Sequence, residues 1–335
     1  MYESDTSNQT LKLPDFGFHL PELMPDEFFS GYFGRFSQLN GFKNVNQAKV
    51  FIKTNIKRLH PKFKYVPAIW GMAQIHGVDV NVLIQQHTLL PLLARISKPE
   101  NKIPPNKLST TLNYLYSCNI NHIKAYPCLC TECTKEDVGY WGFSYWRRSH
   151  QLPGVDWCTK HNTPLVTIDV QDAFSRIPSW FIHQDQDEFI VSQATKPNQF
   201  QQKYIQIIQD ACEINFPLDH KIMKALLMQA LTKKLGPRPR SDIFNGLDQL
   251  MTHQLPIEWM QSHFPKLISQ YQNNGVNRFY NMLESNSNAK TLINYMLMAA
   301  VLFDNGDDAM LTIIKQHKEQ AITSSKNLDS IDAHN

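Results

Sequence analysis

Two pairs of potential metal ligands constrain the fold of this chain more than any other feature. Cys130 and Cys133 are separated by two residues, as are Cys158 and His161, and 24 residues lie between the two pairs. Each pair can reach one ion from a tight turn, and zinc is held tetrahedrally by four such sulfur and nitrogen ligands. Because four protein ligands leave no coordination position open, the spacing predicts one structural zinc ion (Zn2+) and not a catalytic one.

The other cysteines leave one alternative open. Cys128 could replace Cys130 as a ligand, but the two-residue gap from Cys130 to Cys133 matches that of the second pair and favours Cys130. Cys118 and Cys212 have no partner at a suitable spacing and are predicted to be core thiols. The sequence begins without the basic and apolar regions of a secretory signal, so we expect an intracellular protein whose clustered cysteines bind metal and do not form disulfides.

Hydrophobic periodicity predicts a mostly α fold in which helix-turn-helix-like domains flank a small CCCH zinc-binding module. A first helix from Phe28 ends at Asn40-Gly41, a second begins near Val45, and two more cover about 66 to 76 and 79 to 95. The first two helices fit either a helix-turn-helix unit or an ordinary helical hairpin. The C-terminal part repeats the helical pattern over Phe200 to Cys212, Asp219 to Leu235, Asp242 to His253, Ile257 to Gln272 and Lys290 to Phe303.

These patterns suggest five segments along the chain. Residues 1–20 form a polar tail, 21–115 an N-terminal helical domain, 116–170 the zinc-binding module, 171–310 a C-terminal helical domain, and 311–335 an end that is frayed from about residue 323.

The positive charges are unevenly placed. The formal net charge is only +3, yet the stretch from Phe28 to Val78 has eight Lys and Arg residues and no Asp or Glu. A second basic cluster lies in the turn from Lys233 to Arg240. Such clusters are either solvated surfaces or sites of phosphate contact with DNA. The predicted phosphate contacts are Arg35, Lys43, Lys49, Lys53, Lys57, Arg58, Lys233, Lys234, Arg238 and Arg240.

Catalytic motifs are missing from the sequence. A nucleobase deaminase would need a His-x-Glu motif upstream of its zinc cysteines, and none occurs before Cys130. H-E-x-x-H, G-x-x-x-x-G-K-[ST] and G-x-S-x-G are also missing. We therefore expect no catalytic residues and no enzymatic activity.

Several motifs together resemble the TniQ/TnsD family of transposon target-selection proteins. The order and spacing of the central motifs agree with that family, and a segment from Gln86 to Pro91 resembles its TnsD branch. The segment from Leu235 to Leu247 resembles a weaker form of the family's C-terminal helix-turn-helix. The central and N-terminal motifs are Cys130-Thr-Glu-Cys133, Tyr145-Trp146-Arg147-Arg148, His150-Gln-Leu-Pro-Gly154, Cys158-Thr-Lys-His161 with Leu165, and Asp26-Glu27 with Ser30, Arg35 and Asn40-Gly41.

The resemblance implies a protein that selects the insertion site of a transposon. Such a protein binds double-stranded target DNA and recruits a AAA+ ATPase regulator, which brings in the transposase. Alternatively, it docks on an RNA-guided CRISPR effector complex without reading DNA itself. The chain is shorter than is usual for the TnsD branch, so a C-terminal DNA-contacting part would be reduced. It also has no second cysteine set after residue 165, which favours DNA over an effector. The expected location is the bacterial cytoplasm, at the nucleoid when DNA is bound.

Overall fold

The computed structural model divides into two compact units. The first unit comprises residues 1–91 and 103–196, and the second comprises 92–102 and 197–335. Most of the structure is helical, with a few short strands in the first unit. The residues that the structure describes are 17–59, 68–94, 124, 126–170, 172–182, 189–191, 196–214, 218–265, 267–269, 283 and 292–332.

The N-terminal helices largely follow the hydrophobic pattern. The predicted helix from 79 to 95 is wrong in one respect, because it is two helices. Thr88 is extended, with φ −129° and ψ 168°, and its hydroxyl accepts a hydrogen bond from the Leu90 N–H. Pro91 has no N–H to donate to the His87 carbonyl, as a continuous helix would require. The helices are α1 (Phe29–Leu39), α2 (Val45–Leu59), α3 (Ala68–His76), α4 (Val80–His87) and α5 (Leu90–Ala94).

Helix α1 packs its aromatic face into the core of the first unit. Its rings at Tyr32, Phe33 and Phe36 are fully buried. On another side, Gly34 lies so close to the backbone at Phe174 that an added Cβ would be 1.8 Å from the Phe174 carbonyl oxygen. This close approach explains why the sequence has a glycine within a helix, where glycine is otherwise unfavourable.

Short strands and one helix frame the cysteine-rich region. In a three-stranded antiparallel sheet, β4 lies between β1 and β5, and Cys128 is opposite Thr167. A separate hairpin pairs β2 with β3, with Cys158 opposite Thr163. Trp146 and Phe181 pack beside the sheet in a buried cluster. The elements are β1 (Cys128–Leu129), α6 (Thr131–Trp141), β2 (Trp157–Cys158), β3 (Thr163–Pro164), β4 (Val166–Ile168), α7 (Pro178–Ile182) and β5 (Phe189–Val191).

The second unit is a bundle of helices around one apolar helix, α12, which is buried along its whole length. The predicted helix from Ile257 to Gln272 is interrupted. α11 ends at His263, Phe264 before Pro265 is not helical, and residues 265 and 267–269 are helical again. Its predicted last residues, from 270, lie outside the described part. The helices are α8 (Gln199–Glu213), α9 (His220–Leu235), α10 (Arg240–Gln254), α11 (Ile257–His263), α12 (Leu292–Leu302) and α13 (Gly306–Asp332).

Side-chain caps define where two helices of this bundle, α8 and α9, begin. Asn198 and Gln201 form a reciprocal capping box at the start of α8. Asp219 accepts hydrogen bonds from two backbone N–H groups at the start of α9. Within the described ranges, none of the helices has the length and apolarity that a bilayer crossing requires.

Candidate metal centre

The four predicted ligands come from two local structures that face each other. Cys130 follows β1 and is the residue that precedes α6, while Cys133 lies in the first turn of that helix. Cys158 ends β2, and His161 lies in the turn that leads to β3. Asn162 takes a left-handed conformation in this turn, with φ 53°. The two pairs therefore meet because a strand-to-helix turn and a hairpin turn are packed side by side.

The distances between the ligand atoms suit a tetrahedral metal ion. The three thiol sulfurs and His161 Nδ1 all lie within 4.8 Å of one another. Cys133 Sγ is 3.7 Å from Cys158 Sγ, and His161 Nδ1 lies 3.6, 3.3 and 3.7 Å from the sulfurs of Cys130, Cys133 and Cys158. Tetrahedral zinc, with Zn–S of about 2.3 Å, requires roughly 3.8 Å between sulfurs and roughly 3.5 Å between sulfur and nitrogen. The cluster can therefore hold one metal ion.

The protonation of the thiols also points to a cation. Hydrogen bonding from Cys133, and then from Cys158, lowers the pKa of Cys130. Hydrogen bonding to Cys130 in turn raises the pKa of Cys133 and of Cys158. Mutual repulsion at this distance opposes ionisation of all three buried thiols. Full ionisation of the cluster requires a bound cation, whose charge offsets that of the thiolates.

Glu136 and His150, which the ligand spacing did not predict, contact the cluster. Glu136 Oε1 lies 2.9 Å from Nε2 of His161, on the side of the ring away from the sulfurs. His150 Nε2 lies 3.9 Å from Cys133 Sγ. Burial lowers the pKa of His150 to about 3, so its imidazole is neutral and can donate an N–H to the sulfur. Glu136 follows Cys133 by three residues on the same helix, and that spacing is the signal by which it could have been found.

The two other cysteines in the described ranges, Cys128 and Cys212, are not part of the cluster. Cys128, the alternative ligand, accepts a hydrogen bond from Lys124 Nζ at 3.3 Å and lies 3.4 Å from the Thr167 hydroxyl. Cys212 is buried within α8. Cys118 lies outside the described residues.

The N-terminal acidic motif, Asp26-Glu27, binds through Asp26 to the segment between the two ligand pairs. The Asp26 carboxylate accepts hydrogen bonds from the Ser149 hydroxyl at 2.6 Å and from Arg148 Nε at 3.3 Å. The backbone N–H of Arg148 donates to the Asp26 carbonyl at 2.6 Å. Asp26 has φ 56°, a left-handed conformation that lets its backbone and its side chain bind the same segment. These contacts attach the segment just before α1 to the metal-ligand region.

Glu27, the residue after Asp26, forms a buried ion pair with Arg35. Arg35 donates from Nε and Nη2 to the two carboxylate oxygens of Glu27, at 2.8 and 2.7 Å, and both side chains are buried. Burial raises the pKa of Glu27, while the bonds from Arg35 act against this rise. The prediction that Arg35 contacts DNA phosphate is therefore wrong, because its guanidinium lies inside the first unit and is paired.

The other predicted phosphate contacts lie in varied environments. Lys43 is exposed, whereas Lys49 is partly buried with its ammonium 6.0 Å from the centre of the Phe33 ring. Lys234 donates to the Leu302 carbonyl and to Asp304, both at 3.3 Å. Lys53 is half-buried in α2, and Lys233 and Arg238 are exposed in the second unit. The side chains of Lys57, Arg58 and Arg240 lie outside the described part.

Comparison with known proteins gives one finding. Residues 19–165 match the family model described as TniQ. The match includes α1 to α5, the acidic motif with its buried ion pair, and all four clustered ligands. A search of curated proteins found no match.

Proposed function

Because the chain carries a TniQ domain at residues 19–165, a domain of transposition proteins, we propose that it selects the target site of a transposon. It binds double-stranded target DNA and recruits a AAA+ ATPase regulator, which delivers the transposase. The family match carries this proposal, since it covers the region in which the ligand cluster and the Asp26 contacts occur together. The chain itself recruits the other proteins and cuts no DNA.

We further propose that the cluster of Cys130, Cys133, Cys158 and His161 holds one Zn2+ ion. Three thiolates and one imidazole in a tetrahedral arrangement are ligands that zinc favours. All four positions are filled by protein atoms, so the ion would stabilise the fold and would not activate water.

The proposed DNA surface consists of cations from each unit. In the first unit, Lys43 and Lys53 belong to this surface, together with Lys57 and Arg58 of α2. In the second, it includes Lys233 in the last turn of α9, Arg238 in the connecting turn and Arg240 at the start of α10. The two helices have a length typical of helix-turn-helix units. Lysine and arginine side chains of this kind supply affinity for phosphate and no sequence preference, so base recognition would come from a recognition helix.

A second function is supported by the environment of the predicted basic surface. Arg35 is buried against Glu27, and Lys49 and Lys234 are partly occupied by contacts within the protein. Fewer cations are therefore available for DNA phosphate than the sequence suggests. This would suit an adaptor that docks on an RNA-guided CRISPR effector and touches DNA little.

One experiment tests the first function against the second. The immobilised full chain is mixed with fragmented genomic DNA at moderate salt, and the retained fragments are sequenced. Retention of one sequence by the protein alone supports direct target reading. Retention of DNA only after a guide-loaded effector complex is added supports the adaptor. No retention in either case would contradict target selection.

A further inference from the structure

A carboxylate and a lysine lie behind the histidine of the metal cluster, outside the set of four ligands. We propose that Glu136 is a positioning residue for the metal centre, which holds the His161 ring with Nδ1 directed at the three sulfurs, and that Lys160 holds Glu136. This inference rests on the proposed zinc site and deepens it.

The two nitrogens of His161 have separate partners. Nδ1 faces Cys130, Cys133 and Cys158 at 3.6, 3.3 and 3.7 Å. Nε2 lies 2.9 Å from Glu136 Oε1. A neutral imidazole carries a proton on one nitrogen only, so an N–H donated from Nε2 to the carboxylate leaves the lone pair of Nδ1 facing the metal position.

The carboxylate is itself held from two sides. Glu136 lies on α6, the helix that also carries Cys133, so its backbone is fixed relative to that ligand. Its second oxygen, Oε2, forms an ion pair with Lys160, the residue just before His161. Glu136 thereby joins the helix of the first ligand pair to the turn of the second. Carboxylates that orient a metal-bound histidine in this way typically change metal affinity by about 10- to 100-fold.

If Glu136 were only part of a surface ion pair, removing its carboxylate would not change zinc affinity. The Glu136 and Lys160 side chains are about half exposed, at 47% and 59%. Exposed pairs contribute little to folding stability, and a pair without a role at the metal would leave zinc affinity unchanged. Zinc affinity is therefore the quantity that separates the two roles.

The chain offers a matched control on the same helix. Glu132 lies between Cys130 and Cys133 and is paired with the exposed Lys135 at 2.8 Å. Like Glu136→Ala, Glu132→Ala therefore removes from α6 an exposed carboxylate that is paired with a lysine. Unlike Glu136→Ala, it removes no bond to His161.

The test is competition for zinc between the full-length protein and a chromophoric chelator. We expect Glu136→Ala to lower zinc affinity about 10- to 100-fold, with Glu132→Ala within about twofold of wild type. Glu136→Gln keeps an oxygen that can accept from Nε2 and should restore part of the affinity. Circular dichroism of the zinc-loaded variants would show whether each is folded.

Two results would overturn the inference, and they are distinguishable. Equal zinc affinity of Glu136→Ala and Glu132→Ala would remove the positioning role and leave the zinc site intact. A wild-type chain that binds no zinc would overturn the zinc site itself, and the positioning role with it.

Discussion

Cys133 contacts the three other members of the ligand cluster, Cys130, Cys158 and His161. We predict that Cys133→Ser abolishes zinc binding and destabilises the first unit by several kcal/mol, since a structural zinc ion contributes about 10–16 kcal/mol in small zinc-binding peptides. Cys128→Ser is the matched control, because Cys128 is buried nearby but lies outside the cluster. Metal content and thermal unfolding should change in the first variant and stay near wild type in the control.

Arg35 provides a second test at a single residue. Arg35→Met leaves the Glu27 carboxylate buried without its ion-pair partner, and we predict a decrease of about 3–5 kcal/mol in the free energy of unfolding at neutral pH. The double variant Glu27→Gln with Arg35→Met should be less destabilised, because no lone charge remains. Urea unfolding of both variants measures the difference, and equal stability of Arg35→Met and wild type would contradict the buried pair.

The pH dependence of Arg35→Met follows from the Glu27 carboxyl group. Burial already raises the pKa of Glu27 in the folded protein, and removal of Arg35 also removes the main group that opposes the rise. A carboxyl whose folded pKa is raised stabilises the fold below its unfolded pKa and loses that contribution as pH rises through the folded pKa. The deficit of Arg35→Met relative to wild type should therefore shrink as the pH falls from neutral.

The sequence predicted the four metal ligands but not the burial of Arg35 or the contact of Glu136 with His161. Cys130, Cys133, Cys158 and His161 could be chosen because two-residue gaps are a local property of the chain. The burial of Arg35 could not be inferred from the charge pattern, since its partner Glu27 lies one residue before the acid-free stretch and eight residues from Arg35. Glu136 was missed because the ligand spacing identifies groups that bind a metal but not those that orient the ligands.

At the level of the helices, Gly34 and Gly139 form a natural pair of tests. An alanine at Gly34 would place Cβ 1.8 Å from the Phe174 carbonyl oxygen, whereas the same change at Gly139 in α6 meets nothing within 4 Å. We predict that Gly34→Ala destabilises the protein by about 1–3 kcal/mol or more through overpacking. Gly139→Ala should be neutral or stabilising by up to about 1 kcal/mol. Thermal unfolding of both variants measures this, and equal effects would argue against the close contact of α1 with Phe174.

Helix positions were more predictable than helix ends. The periodicity of apolar residues located α1, α2 and most helices of the second unit, because burial of one face dominates the pattern. It missed the break at Thr88, where a side-chain hydroxyl binds a backbone N–H, and the end of α11 at His263. Both depend on local hydrogen bonding and on a nearby proline, to which the spacing of apolar residues is insensitive.

For the whole molecule, the sequence pattern separated an N-terminal helical domain from the metal-binding segment, while the contacts group both within the first unit. The bonds from Asp26 to Arg148 and Ser149 link residues more than 120 positions apart. Periodicity carries no information about such pairs, because it reports on one element at a time. The family resemblance joined the two regions as motifs but did not say that they touch.

The proposed DNA surface makes a prediction for the full chain. Replacing Lys43 and Lys53 by glutamine should weaken binding to all DNA sequences alike and reduce the salt dependence of log K by about 0.9 for each phosphate that is no longer neutralised. Lys135→Gln is the control, because this exposed lysine lies on α6 and is paired with Glu132. Mobility-shift titrations over a range of salt concentrations measure the slope, and an unchanged slope would remove these two lysines from the DNA surface.

The most direct test of the proposed metal centre is the metal content of the purified full-length protein, measured by elemental analysis against protein concentration. The arrangement of Cys130, Cys133, Cys158 and His161 predicts one zinc ion per chain. A protein that is folded and contains no stoichiometric metal would contradict it.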